Sequence, residues 1–134
     1  MILVDEAIWR WRGRRWAHLV SDASYDELHV FAAELGLRRM AFQGDHYDVE
    51  ATVRDRALEL GAIAVGSREL VRRLRRAGLR RRVDRTALQW SRTASVELPP
   101  MPRTVTIEVL QRAGELAVLI DRGGADLEVV VPLA

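Results

Sequence analysis

Cysteine is missing from all 134 residues. Its absence excludes a disulfide framework, a thiolate metal site and a cysteine nucleophile, and it fits a reducing compartment. No apolar run is long enough for a membrane span, and the opening stretch MILVDEAIWRWRGRR, with its early acids, lacks the pattern of a secretory signal. A cytoplasmic protein without membrane association is the expectation. Lysine is missing as well: all 21 basic residues are arginine, which reads as GC-rich coding bias and carries no functional weight. Several spacings are also absent, namely a repeated H-x-T pair, H-x-G-H, a Walker A loop, G-x-S-x-G and G-x-G-x-x-G. The common phosphoesterase, nucleotidyl-transfer, P-loop, hydrolase and dinucleotide signatures are therefore not available to assign a reaction.

The charge that is present is unevenly placed. Residues 1–66 carry 8 arginines against 11 acids, residues 67–92 carry 10 against 2, and residues 93–134 carry 3 against 6. The positive field belongs to the middle segment. Hydrophobic spacing supplies the rest of the organisation. Met1 to Val4 and Arg15 to Val20 read as strands, the second with Trp16, His18 and Val20 on one face and Ala17 and Leu19 on the other. Ser24 and Glu27 form a capping box ahead of a helix whose stripe is Leu28, Phe31, Ala32 and Leu35, ended by Gly36. A third strand is predicted over 39–43, a helix over about 50–60 with Asp48 as its cap, a fourth strand over 62–65, and a helix capped by Ser67 and closed by Gly78.

Strands alternating with helices predict an α/β domain over residues 1–78, built on a small, mainly parallel sheet flanked by helices. Residues 79–102, with their arginines and prolines, read as a linker. Residues 103–134 predict a three-stranded antiparallel meander whose strands are joined in part by Asp121-Arg122-Gly123-Gly124. So small a sheet cannot bury its apolar face alone, which predicts packing on the first domain or a homodimer through the C-terminal strands.

In an open α/β sheet, ligands bind where strand ends feed helices. That edge collects Asp5, Ser21, Asp22, the stretch from Gln43 to Asp48, Gly66 and Ser67, together with Glu27 and His29 in the opening turns of the first helix. All three histidines, His18, His29 and His46, fall in this early region. The ordered set Val4-Asp5, His18-Leu19, Ser21-Asp22, Glu27-Leu28-His29, Phe31-Ala32, Gly36-Leu37, Phe42-Gln43, His46-Tyr47-Asp48 and Gly61-Ala62 resembles domain-of-unknown-function family 4031 over roughly residues 1–77. Two positions depart from that pattern: Ala17 stands where cysteine is expected, and Ala41 where a bulky aromatic is. The resemblance marks positions without implying an activity.

Two chemistries suit these residues. His46 and Asp48, two apart in an extended segment, would point the same way and with His18 would make a two-histidine, one-carboxylate site for a divalent metal such as iron or zinc. Alternatively, His18 and His46, with His29 nearby, would pass protons during hydrolysis of a phosphate ester or glycosidic bond, supported by Asp22 and Asp48. Bland readings stand beside both, with His18 as a core histidine, Glu27 and Asp48 as helix caps, and His29 as a border of the apolar stripe. The resulting expectation is a small enzyme acting on a nucleotide or other phosphorylated ligand. Asp5, Gln43 and Tyr47 would contact that ligand, and Arg12 or Arg14 would meet its phosphate. The rivals are a non-catalytic accessory protein that binds nucleic acid through the Trp9–Trp16 stretch and the arginines from Arg68 to Arg85, and a dimeric assembly module.

Overall fold

The computed structural model describes residues 1–82, 84–98, 104–123 and 126–133, which divide into two compact units, Met1–Arg82 and Val83–Ala134. In the first unit, Ile2–Val4 forms β1, Trp9–Trp11 β2, Arg14–Ser21 β3, Tyr25–Glu34 α1, Tyr47–Glu50 β4, Ala51–Glu59 α2, Ile63–Ala64 β5 and Ser67–Arg76 α3. The central strand is β3. It pairs antiparallel with β4 along one edge, while β1 and β2 share the other, with Leu19 opposite Val4 and Trp16 opposite Trp9.

The sheet is mixed, which corrects the expectation of a mainly parallel one, since β1 and β5 make its parallel pair among the described residues. The reason lies in the connections. A parallel neighbour requires a crossover of a dozen or more residues, whereas β1 reaches β3 through the short β2–β3 hairpin. That hairpin turns at Arg12-Gly13, both in the left-handed region (φ 50° and 74°), the geometry of a tight turn matched to strand twist. The strand predicted over 39–43 is a 3₁₀ turn over Arg39–Ala41 followed by a single bridge between Phe42 and Tyr47. After that reversal β4 runs back antiparallel to β3.

Alternation along β1 and β3 sends side chains to two covered faces. Ile2, Val4, Ala17 and Leu19 pack with Leu28 and Ala32 of α1 and Ala57 of α2. Leu3 and Val20 pack on the other face against Leu70 and Leu74 of α3. This explains why β1 is apolar at every position: it is buried on both sides. His18 shares the α3 face with Val20, one step further from the cover that α3 provides.

The capping box is half formed. The Glu27 amide donates to Ser24 Oγ at 3.1 Å, but the Glu27 carboxylate is taken by Ser21 and the amino group of Met1. Neither of the other two predicted caps forms. Asp48 lies in β4 and α2 starts from Glu50 without a side-chain cap, while α3 starts from Gly66 and the Ser67 hydroxyl points elsewhere.

The second unit is a four-stranded antiparallel sheet in the order β6 (Ser91–Leu98), β7 (Val105–Arg112), β8 (Glu115–Asp121) and β9 (Leu127–Pro132). An antiparallel meander is present, with one strand more than the three expected. The extra strand, β6, lies in the stretch read as a linker, where serine, threonine and arginine hide the spacing of Ala94, Val96 and Leu98. The prolines at 99, 100 and 102, and Gly124 of the predicted turn, lie outside the described residues. One face of the sheet is partly covered by its own chain: Arg112 stacks over the Trp90 ring at 4.4 Å, is ion-paired to Glu115 and is buried. No helix among the described residues is long and apolar enough to cross a membrane.

Candidate metal centre

His18 and Asp48 are directly opposed in the β3–β4 register, so both side chains leave the sheet on the same face. The preceding turn, closed by the Gln43 amide donating to the His46 carbonyl at 2.8 Å, brings His46 beside them. Nε2 of His46 lies 3.3 Å and Nε2 of His18 3.9 Å from the same atom, Asp48 Oδ1. Potential ligand atoms of the three residues all lie within 4.8 Å of one another. Two ligands on one tetrahedral ion at about 2.1 Å stand roughly 3.4 Å apart, so the cluster is close to the spacing a single cation requires.

Each imidazole is held from behind by its own buried carboxylate. Asp5, only 1% exposed, accepts from the His18 amide at 2.6 Å and from the Ser67 hydroxyl at 2.8 Å, and its Oδ2 lies 2.9 Å from His18 Nδ1. Burial pushes the Asp5 pKa up, but these bonds outweigh it and hold the carboxyl below its ordinary value. An ionised Asp5 accepts from Nδ1–H, which fixes the His18 tautomer and leaves the Nε2 lone pair facing the cluster.

Asp45, equally buried, repeats the arrangement. Its Oδ1 lies 2.6 Å from His46 Nδ1, and its Oδ2 accepts from Arg80 at 2.8 Å and from the Arg81 amide at 2.9 Å. Burial is again the largest influence on its carboxyl and acts upward, yet His46 and the two arginines bring the net shift below the ordinary value. At His46 burial favours the neutral ring, but Asp45 and Asp48 prevail and raise its pKa to about 9. Without a cation, a proton on this ring balances the carboxylates.

Asp48 Oδ1 is enclosed, and the polar groups facing it are the two imidazoles, with protonated His46 as its charge partner at 3.3 Å. A cation would take the place of that proton and draw both Nε2 atoms and this oxygen to itself. Beside the imidazoles lies a hollow of about 170 Å³, with apolar walls from Val20, Leu70, Val71 and Leu74 and with Asp5, Ser67 and Arg80 as its polar groups. On another side the Trp9 ring stacks on His18 at 5.6 Å between centroids.

The remaining predicted site residues lie elsewhere. Asp22 is ion-paired to Arg73 and to the amino group of Met1. His29 and Tyr47 sit on the opposite, α1–α2 side of the sheet, with His29 Nδ1 2.9 Å from the Tyr47 hydroxyl and its ring 4.6 Å from that of Phe42. Gln43 shapes the turn, and its side chain reaches the Ala41 carbonyl at 3.3 Å. Arg12 lies over Trp11 at the hairpin tip, and Arg14 is ion-paired to Glu50. The sequence places Asp45 and Ser67 at the ligand-binding edge without a role, and Arg80 only within the basic stretch. The role of Asp45 could have been found from its position next to His46. Arg80 was concealed in a run of like charges.

Fold and geometry together define a small α/β domain bearing a two-histidine, one-carboxylate cluster. Residues 2–77 match the family described as Protein of unknown function (DUF4031), and the chain belongs to that family. Comparison with curated proteins and with solved structures gave no match.

Proposed function

We propose that the first unit is a metal-dependent hydrolase of small phosphate esters, with His18, His46 and Asp48 holding one divalent cation. The observation that carries this reading is the paired second layer: two imidazoles each oriented through Nδ1 by a buried carboxylate, with both Nε2 atoms directed at the same Asp48 oxygen. Three protein ligands leave a coordination position open, the pattern of catalytic rather than structural sites. Imidazole with carboxylate suits zinc, iron or manganese.

A divalent cation held by His18, His46 and Asp48 would supply Lewis acidity for activating water and neutralising phosphoryl charge. In the hydrolysis the water oxygen bonds to phosphorus as the ester P–O bond breaks, and the water proton passes to the departing alcohol. Arg80, already at the hollow, supplies positive charge to the phosphoryl oxygens. The hollow's volume decides how much of a substrate enters. At about 170 Å³ it is smaller than the roughly 300–1,000 Å³ of sites that enclose whole ligands, so it suits the phosphoryl end of a nucleotide or sugar phosphate, with the rest outside.

Elemental analysis of the purified protein should find about one transition metal per chain, and a panel of phosphate esters should be hydrolysed by the native protein but not by His18→Ala or His46→Ala. A protein that neither carries nor takes up zinc, iron or manganese, or alanine variants that hydrolyse as fast as the native chain, would overturn the assignment.

The outer face of α3 favours a second reading. Arg68, Arg75 and Arg76 are exposed there, which suits binding to nucleic acid through phosphates. Binding that weakens steeply with salt and survives His46→Ala would mark that activity as separate.

A further inference from the structure

We propose that the β6–β9 sheet closes face to face against the same sheet of a second copy of this chain, forming a two-layer sandwich about a twofold axis. The inference is independent of the metal centre.

The strand register makes the two faces of this sheet chemically different. On one, Val105, Ile107 and Val109 of β7 stand in line with Ile120, Val118 and Leu116 of β8. The outer strands extend the same face with Val96 and Leu98 on one side and Leu127, Val129 and Val131 on the other. Among the described residues no charge interrupts this surface, and it turns polar at the Ser91–Gln111 end. The opposite face mixes the charged Arg92, Glu97, Glu108, Asp121 and Glu128 with Leu110, Ala117, Leu119 and Val130, and the Arg112–Trp90 contact lies over part of it.

The aliphatic face is open. Val96 is 53% exposed and Val129 54%, and Leu98, Leu127 and Val131 exceed 40%. Four strands at about 4.8 Å spacing and roughly 20 Å length give a patch of about 400 Å² in projection per copy, and side-chain relief makes its accessible area larger. Two such faces together bury on the order of 1,000 Å², the lower bound of a specific contact, and such a patch is larger than single surface residues explain.

The composition selects the occupant. A surface that carries no charge among the described residues offers nothing to recognise a nucleic acid or an acidic or basic partner. A second copy offers the same aliphatic chemistry, the same twist for aligned sheet packing, and a contact that closes after two copies because each face is used once.

Sedimentation equilibrium of the full chain tests this directly. A dimer is expected at about 100 µM, where even a micromolar contact is populated. Val96→Glu and Val129→Glu, both at positions open in the single chain, should each weaken association roughly 100-fold by placing an unpaired charge in the contact, with an unchanged circular dichroism spectrum. Because the chain has no cysteine, single-cysteine variants report the face used: mild oxidation should cross-link Val118→Cys and leave Ser95→Cys, on the opposite face, without a cross-link while still dimeric. That pair decides the question if a glutamate variant fails to fold. A monomer at about 100 µM, a dimer indifferent to both glutamates, open polymers in place of a closed pair, or cross-linking through position 95 and not 118 would each overturn the proposal.

Discussion

The two units of this chain use strands in opposite ways. In β6–β9 the alternation continues from edge to edge, leaving one aliphatic face and one face on which charged and apolar residues mix. In β1–β5 the pattern is broken at a few places: an aspartate directly after the apolar β1, a histidine within β3 and an aspartate opposite it in β4. These interruptions fall together at the margin of the α3 cover. A polar residue in a strand that could have been apolar costs desolvation unless it is paired, and here each such residue is paired through another of the set. Where a strand pays that cost at several matched positions, the sequence is marking a site; where it never does, it is marking a surface for packing.

That contrast can be broken most severely in the core. Leu74→Ala removes a fully buried side chain beneath α3 and should destabilise the first unit by about 2–5 kcal/mol, while self-association of the second unit is unchanged. Thermal or denaturant unfolding, paired with sedimentation, checks both halves of the statement. Asp48→Ala should lower affinity for zinc or manganese by more than the roughly 10–100-fold typical of outer-layer partners, and without metal it should lower stability by removing a carboxylate that faces protonated His46 at 3.3 Å. Titration calorimetry with the metal and a melting curve separate those effects. Asp45→Asn keeps the shape but weakens the hold on His46, so affinity should fall within about 10–100-fold, measured in the same way.

The smallest effect concerns Asp22. Burial raises its carboxyl pKa, but the Met1 amino group and Arg73 prevail and leave it below the ordinary value. A carboxyl lowered in the folded state adds stability that is present above its unfolded value and is lost as pH falls through the folded one. Asp22→Asn should therefore cost under about 1 kcal/mol at neutral pH, and the difference from the native chain should fade below the ordinary carboxylate value of 3.8. A gap that persists at lower pH would mean the loss is steric rather than electrostatic.

Much of the helical structure was legible, because Leu28 with Ala32 and Leu70 with Leu74 keep helical spacing and Gly36, Gly61 and Gly78 end the segments. Strand direction was not. Nothing local states that β4 returns antiparallel, since that depends on the turn after Phe42. Tyr47 and Val49 do alternate with Asp48 and Glu50, but an aspartate just ahead of a helix reads equally well as a cap, so β4 was missed. The pairing of His18, His46 and Asp48 followed from their spacing and from the idea of a shared sheet edge. Their supports did not, because Asp45 and Arg80 meet only after the whole first unit has folded.

That last contact separates the border of a sequence match from the border of a self-sufficient fragment. Asp45 grips the Arg80 guanidinium and the Arg81 main chain together, three and four positions beyond the last residue of the family match. A protein trimmed to the match would leave one Asp45 oxygen without its donors and His46 on a slackened support. The shortest piece worth expressing for work on the histidines therefore runs through Arg82.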